Sequence, residues 1–231
     1  MLNFIGSGSA FNTELGNNSA FLSLKKDLFL IDCGSTVFSR LKEKNTLDNY
    51  DDVYVAITHT HPDHIGSLGD LVFYLYYVMN KKLKIITHVE NSYILRILEN
   101  MGISSELYNT ILTNKKLNLN NELKLKMIPV KHTPEVNSFA LEINYNDKNI
   151  YYSGDCSEIP ENIISNLNNG KYNYFYQDTC SLDYDGNVHL SINKLNSIIT
   201  KNRNLVYCMH LDEEFNRKYA EELGFNVVEN I

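Results

Sequence analysis

The densest group of chemically active side chains in this sequence is the segment His-Thr-His-Pro-Asp-His at residues 59–64, which holds three of the seven histidines. Side chains two positions apart on an extended segment point to the same side, so His59 and His61 can bind one metal ion together. Asp63 and His64 lie where the chain turns into a predicted helix and can face a second ion. Imidazole and carboxylate ligands favour zinc, with manganese or iron as the alternatives.

Further ligands for two ions must come from other parts of the chain. His132, Asp155 and His210 each follow a predicted strand. Sheets usually carry functional groups at the C-terminal ends of their strands. Taken singly, each of the three could be a surface residue or a hydrogen-bonded interior residue. Their shared placement, beside the histidine segment, predicts that they complete a metal site.

The elements that must position these residues follow from hydrophobic periodicity and turn residues. Predicted strands cover residues 2–5, 20–24, 28–31, 53–57, 83–87, 123–130, 138–144, 149–153, 174–177, 204–208 and 225–228. Predicted helices cover residues 36–44, 64–79, 90–101, 191–200 and 212–223, and another begins at Pro160. Strands dominate early and strand–helix alternation follows. This order predicts an α/β fold of two mixed sheets flanked by helices, a four-layer αββα sandwich built as one domain over residues 1–231.

Composition and charge limit the classes of partner. The formal net charge is −7, from 21 Lys+Arg against 28 Asp+Glu, which disfavours binding to long nucleic acid. The longest apolar run, Leu71–Met79, is too short to span a bilayer, and the first residues do not have the pattern of a signal peptide. We therefore expect a cytoplasmic protein with no membrane partner, in the host cytoplasm if a phage encodes it. The four cysteines form no CxxC pair and are expected to be small buried residues.

The order HxHxDH, a single histidine, Gly-Asp and a second single histidine resembles the metallo-β-lactamase superfamily. The resemblance implies two Zn²⁺ ions per chain, with Mn²⁺ as the alternative metal. The implied ligands of the first ion are His59, His61 and His132, and those of the second are Asp63, His64 and His210, with Asp155 bridging both. Asp63 would also act in catalysis through the second ion. Asp32 matches an aspartate that orients the histidine segment from behind.

Two further segments resemble the ribonuclease Z branch of this superfamily. Gly-Ser-Gly-Ser-Ala at residues 6–10 and Asn-Asn-Ser-Ala at residues 17–20 resemble the start of those enzymes, where glycine-rich backbone can approach a phosphate. The implied substrate contacts are Ser7, Ser9, Asn18 and Ser191. Val-His-Leu-Ser at residues 188–191 resembles a segment whose histidine assists proton transfer, which makes His189 the candidate catalytic acid. Gln177 stands where the branch has a glutamate, and His189 could instead simply begin the helix that Ser191 caps.

The interval between His132 and Asp155 spans only 23 positions, which is enough for two strands and a turn. Ribonuclease Z enzymes usually carry a long basic arm there that holds tRNA. A ribonuclease-Z-like chain without that arm resembles the anti-Pycsar phosphodiesterases of phages and their bacterial relatives, a dimeric family that hydrolyses cyclic mononucleotides. The resemblance implies a small cyclic nucleotide as substrate and a homodimer as the assembly.

A neighbouring subunit could close a shallow site through residues 12–17 or through residues 103–121. We favour the second segment, because the spacing of its apolar residues predicts an amphipathic helix with an uncovered face. These residues are Ile103, Leu107, Tyr108, Ile111 and Leu112. The alternative is that this helix packs on its own domain.

Other functions stay open at this point. A ribonuclease Z-type tRNA 3′ endonuclease, a thioester or lactone hydrolase and a β-lactamase would use the same ligands. A diiron flavoprotein is disfavoured, because that group generally has an acidic residue at the position of His61. A metal-bound module that sequesters a nucleotide without cleaving it is the non-enzymatic alternative, and only turnover excludes it.

Overall fold

Two mixed β-sheets form the centre of the fold in the computed structural model, which describes residues 1–231. The first sheet has its six strands in sequence order, antiparallel from β1 to β3 and parallel from β3 to β6. Its strands are β1 (Asn3–Gly6), β2 (Ser19–Ser23), β3 (Asp27–Ile31), β4 (Asp52–Ala56), β5 (Leu83–His88) and β6 (Tyr108–Thr113).

The second sheet has seven strands in the order β13-β12-β11-β10-β9-β8-β7. Strands β7 to β10 are antiparallel neighbours, and β10 to β13 are parallel. The strands are β7 (Leu117–Leu119), β8 (Leu123–Val130), β9 (Ser138–Tyr145), β10 (Lys148–Tyr152), β11 (Tyr174–Asp178), β12 (Val206–Met209) and β13 (Asn226–Val227). The whole interval between His132 and Asp155 is a loop followed by the β9–β10 hairpin, so no arm extends from it.

Seven α-helices cover the outer faces of the sheets. They are α1 (Val37–Glu43), α2 (Pro62–Ile65), α3 (Leu68–Tyr77), α4 (Ile94–Asn100), α5 (Glu161–Asn168), α6 (Ile192–Ile198) and α7 (Arg217–Glu222). Short 3₁₀ turns cover Val89–Asn91, Ser105–Leu107 and Arg203–Leu205. None of the helices has the length and apolarity needed to cross a membrane.

The hydrophobic core has three layers, one between the sheets and one between each sheet and its helices. Strand β4 illustrates how the sequence fills two layers at once. Val53 and Val55 face the helices of the first sheet, whereas Tyr54 and Ala56 face the second sheet. Successive side chains of a strand point to opposite faces, so a strand buried on both sides is continuously apolar. The predicted αββα sandwich is confirmed.

The structure corrects two of the predicted helices. The segment predicted as one helix over residues 64–79 is divided into α2 and α3, with Gly66 and Ser67 between them. The amphipathic helix predicted within residues 103–121 is wrong. Leu107 ends a 3₁₀ turn and residues 108–113 form β6, with Ile111 paired to Ile86 of β5. The helical spacing of the apolar residues was coincidental, because parallel pairing with a distant strand determines the backbone here.

Candidate metal centre

The histidine segment is positioned by the C-terminal end of β4 and by the short helix α2. The extended backbone of His61 leads into α2, and Pro62 takes the first helical position, where a missing N–H costs nothing. The loop before α1 packs directly against α2, and the Cys33 N–H donates a hydrogen bond of 2.7 Å to the His64 carbonyl oxygen. A Cβ on Gly34 would lie 1.8 Å from the Asp63 carbonyl oxygen, so only glycine permits this approach.

Three histidines form the first potential metal-binding group. Nε2 of His59 lies 3.0 Å from Nδ1 of His61, and Nε2 of His132 lies 3.3 Å from the same Nδ1. One ligand atom from each residue lies within 4.8 Å of the others. His59 and His132 are buried and His61 is partly exposed, so the group forms the inner wall of an open site.

Asp63, His64, Asp155 and His210 form the second group, and all four are buried. Asp155 Oδ2 lies 3.2 Å from Nε2 of both His64 and His210. The same oxygen is 3.8 Å from His59 Nε2 and 3.9 Å from His132 Nε2. Asp155 therefore lies between the two groups. The structure brings together all seven residues that the sequence indicated as ligands.

The nitrogen atoms that face away from the site are held by hydrogen bonds. His64 Nδ1–H donates to Asp32 Oδ2 at 2.9 Å, and His132 Nδ1–H donates to the Val188 carbonyl oxygen at 3.0 Å. Each bond places a proton on Nδ1 and directs Nε2 into the site. Asp32 also accepts from the Thr58 N–H and hydroxyl, both at 2.8 Å, which fixes the start of the histidine segment.

These residues fit divalent cations. His64 Nε2 and Asp155 Oδ1 are buried and have no hydrogen-bond partner, although buried polar atoms are normally paired. Burial alone would raise the pKa of Asp155, but His210 and His64 hold it well below its ordinary value, so the carboxylate is ionised. Conversely, Asp155 overcomes the effect of burial and raises the pKa of His210 to about 10. The site thus favours positive charge, and its nitrogen and oxygen donors suit zinc or manganese.

A second buried carboxylate, Asp178, holds two of the histidines. Its Oδ2 accepts a 2.7 Å hydrogen bond from His189 Nδ1–H, and its Oδ1 lies 3.4 Å from His210 Nδ1. Burial would lower the pKa of His189, but Asp178 raises it above the ordinary value. The sequence suggested Gln177 as the partner position, which is one residue away. The signal that could have identified Asp178 is its place at the C-terminal end of a buried strand beside His210.

Two residues of this site have a left-handed backbone conformation. Asp32 and His210 have φ angles of 60° and 59°, in the left-handed region that residues other than glycine seldom adopt. Both residues direct their side chains towards the second group of potential ligands. Such strain is characteristic of functional sites, where surrounding contacts enforce it.

Of the four implied substrate contacts, one is partly exposed and three are buried. Ser9 is partly exposed and lines the cavity beside the histidines. The side chains of the other three are inside the protein and do not line this cavity. Asn18 donates to the Tyr152 hydroxyl, Ser191 caps α6 by accepting from the Lys194 N–H, and the Ser7 hydroxyl is fully enclosed.

The open side of the metal centre is a cavity of about 180 Å³. His61, Asp63, His132, Asp155 and His210 contribute to its floor. His189 also lines it, and its side chain retains about a quarter of its exposure. The arrangement can therefore present two potential cation-binding groups and one imidazole, whose protonation Asp178 favours, to the same small molecule.

Comparison with known proteins gives one family along nearly the whole chain. The model of the family described as "Anti-Pycsar protein Apyc1" matches residues 1–230. A protein of Paenibacillus harenae with that description is 26% identical over 240 residues, covering 99% of this chain and 96% of its own length. One from Bacillus phage BSP38 is 29% identical over 233 residues, covering 90% and 88% of the two chains.

Solved structures with similar folds include the metallo-β-lactamase fold protein YhfI from Bacillus subtilis, with a TM-score of 0.79 and 18% identity. The superposition covers 99% of this chain and 96% of YhfI. The short form of human tRNase Z has a TM-score of 0.68 and 16% identity, with 99% and 96% coverage. At these identities the similarity establishes the metallo-β-lactamase fold.

Proposed function

The chain belongs to the anti-Pycsar Apyc1 family, and from this membership and the geometry of its metal centre we propose that it is a metal-dependent phosphodiesterase that hydrolyses cyclic mononucleotides. Such degradation of a nucleotide signal would serve viral counter-defence against cyclic-nucleotide immunity. The single observation that carries the proposal is the position of His189 on the cavity wall beside both potential metal-binding groups.

We assign one zinc ion to His59, His61 and His132, and a second to Asp63, His64 and His210, with Asp155 shared between them. When bound, two divalent cations supply positive charge for the phosphate oxygens and lower the pKa of a water molecule towards neutrality. Asp32 and the Val188 carbonyl oxygen accept from Nδ1–H of His64 and His132, which leaves Nε2 as the atom of each ring that would bind an ion.

Hydrolysis of a cyclic phosphate breaks one P–O ester bond, and the ribose oxygen that departs needs a proton. His189 is suited to supply it, because Asp178 accepts from its Nδ1–H and favours the protonated ring. Nδ1 is held by Asp178, so Nε2 is the nitrogen that can donate to the leaving oxygen. The product would be a nucleoside monophosphate.

The shape of the site favours a small substrate. The cavity of about 180 Å³ can enclose only part of a nucleotide, and the β9–β10 hairpin accounts for the interval in which a tRNA-holding arm would be expected. The net charge of −7 also disfavours a long polyanion. We include a homodimer in the proposal, on the resemblance to dimeric phosphodiesterases.

The decisive experiment compares zinc-loaded protein on cyclic mononucleotides, cyclic dinucleotides and precursor tRNA. We expect conversion of a cyclic mononucleotide to its monophosphate, with little turnover of tRNA. The Asp63→Ala variant should be folded and inactive, because this carboxylate faces His64 and His210 at 3.3 Å and is not part of the hydrophobic core. Preference for tRNA, or tight binding of cyclic nucleotides without any turnover, would refute the proposal.

A further inference from the structure

Phe11 is the most exposed large apolar side chain of the protein, with 85% of its surface accessible. It belongs to the turn that follows Ser9 and it lines the cavity above the metal centre. A phenylalanine ring left in water forgoes the favourable free energy of burial, so its position calls for a reason. Phe11 lies between the two segments that resemble the ribonuclease Z branch and belongs to neither, so the sequence alone gives no reason for its exposure.

The turn that carries Phe11 is braced at both ends. Ser9 N–H donates to the Leu211 carbonyl oxygen at 2.9 Å, and the Asn12 side-chain amide donates to the same oxygen at 3.1 Å. Asn12 is buried, and its Oδ1 accepts from the Leu15 N–H at 3.2 Å. Leu211 directly follows His210. The backbone on either side of Phe11 is therefore tied to the residue after a potential metal ligand, which holds the ring at a defined place beside the site.

The composition of the cavity indicates what the ring is for. Its wall contains neither lysine nor arginine, and most of its polar residues belong to the metal-binding groups or to the Asp178–His189 pair. The apolar part is supplied by Ala10, Phe11, Cys180 and Val188. A nucleotide held by its phosphate at the metal centre has one large flat group left, its base. An exposed aromatic face is the surface on which any base can stack.

We infer that Phe11 is the stacking surface for the nucleobase of the substrate, an inference that rests on the proposed function. Stacking depends on the π-face that all bases share, so Phe11 contributes affinity for the nucleotide and little discrimination between bases. It does not touch the phosphate. Its contribution is the same before and during bond cleavage, and it should act on KM much more than on kcat.

The test uses two substrates, a ribonucleoside 3′,5′-cyclic phosphate and the matching ribose cyclic phosphate that has a hydrogen in place of the base. If the nucleotide is cleaved as its 2′,3′-cyclic isomer, the base-free partner is changed to match. We expect Phe11→Ala to lower kcat/KM for the nucleotide by roughly 5- to 150-fold, mainly through KM, and to leave the base-free compound unaffected. Phe11→Trp should retain the affinity for the nucleotide. Tyr77→Ala is the matched control, because this aromatic residue is 68% exposed and lies outside the cavity lining. It should leave kcat and KM unchanged for both substrates.

The outcomes separate this inference from the proposed function. Loss of activity on both substrates to the same degree would overturn the stacking role. The stacking role would also be overturned if Phe11→Ala changed the oligomeric state and lost activity equally on both substrates. That result would assign the ring to a contact with a second copy of the chain. If Phe11→Ala left the kinetics with the nucleotide unchanged, the stacking role would be overturned and the proposed function would stay intact. If the wild-type protein cleaves neither substrate, the proposed function fails and the inference falls with it.

Discussion

Replacement of Asp32 by asparagine should disable the second metal group without removing any of its ligands. Asp32 is fully buried, and its Oδ2 accepts hydrogen bonds from His64 Nδ1–H and from the Thr58 hydroxyl, while Oδ1 accepts from the Thr58 N–H. Asparagine tolerates the left-handed backbone that Asp32 adopts, and its oxygen can still serve the Thr58 N–H. The change is therefore confined to one atom, Oδ2, which faces both His64 and the Thr58 hydroxyl.

The amide nitrogen of the variant is a donor where the native oxygen is an acceptor. His64 can pair with it only by moving its proton from Nδ1 to Nε2, the atom that lies 3.2 Å from Asp155 Oδ2 and faces the second site. A protonated Nε2 cannot bind a cation. Loss of such an orienting partner typically costs about 10- to 100-fold in metal affinity. This corresponds to about 1.4–2.7 kcal/mol at the second ion.

The assay is a competition titration with a chromophoric chelator, which resolves two affinities per chain. We expect one of the two affinities to fall in Asp32→Asn and the other to change less, because Asp32 contacts His64 directly and reaches His59 only through the Thr58 hydroxyl. Asp48→Asn, at an exposed carboxylate, is the control for the change of charge. A variant that unfolds cooperatively and still binds two ions with wild-type affinities would refute the role given to Asp32.

Elemental analysis of active protein should give two metal equivalents per chain, because seven ligands exceed the needs of one tetrahedral ion, and one equivalent or none would contradict the two-ion assignment. His189→Gln should lower kcat by about 10²- to 10⁴-fold for a ribose leaving group and much less for p-nitrophenolate, which departs without a proton; equal losses would exclude the acid role. Because Asp178 raises the pKa of His189, activity that needs the protonated ring is present below that pKa and lost as pH rises through it. Asp178→Asn should move this alkaline limb to lower pH, and an unmoved limb would contradict the pairing. Light scattering should give the mass of two chains, and a fully active monomer would remove the homodimer from the proposal.

The sequence was most informative where the relevant contacts are local. The ligands at residues 59–64 are close in sequence because one turn after β4 presents them all, so their spacing alone predicts a metal group. His132, Asp155 and His210 were found because each follows a strand, and strand ends are visible as the limits of apolar runs. The αββα fold could likewise be read from alternating strands and helices.

The sequence was misleading where a partner far along the chain determines the result. The residues of β6 have apolar positions that fit a helix, but β5 offers an open edge to which they pair in parallel. Asp178 was overlooked for a related reason. It is the last residue of β11, next to Gln177, and only the folding of residues 188–189 against that strand shows which of the two side chains meets His189.

In the proposed mechanism, Asp178 would couple metal binding to proton donation. One oxygen of its carboxylate faces His210, a potential ligand, and the other binds His189, the proposed acid. The two imidazole rings stack with their centres 4.9 Å apart. Strands β11 and β12 are in register with Asp178 opposite Met209, which places His210 directly beside the carboxylate. Pairing between two parallel strands therefore sets the position of His210 relative to Asp178, and the hydrogen bond to Asp178 sets that of His189. A shift of either imidazole would disturb the carboxylate that the other imidazole contacts.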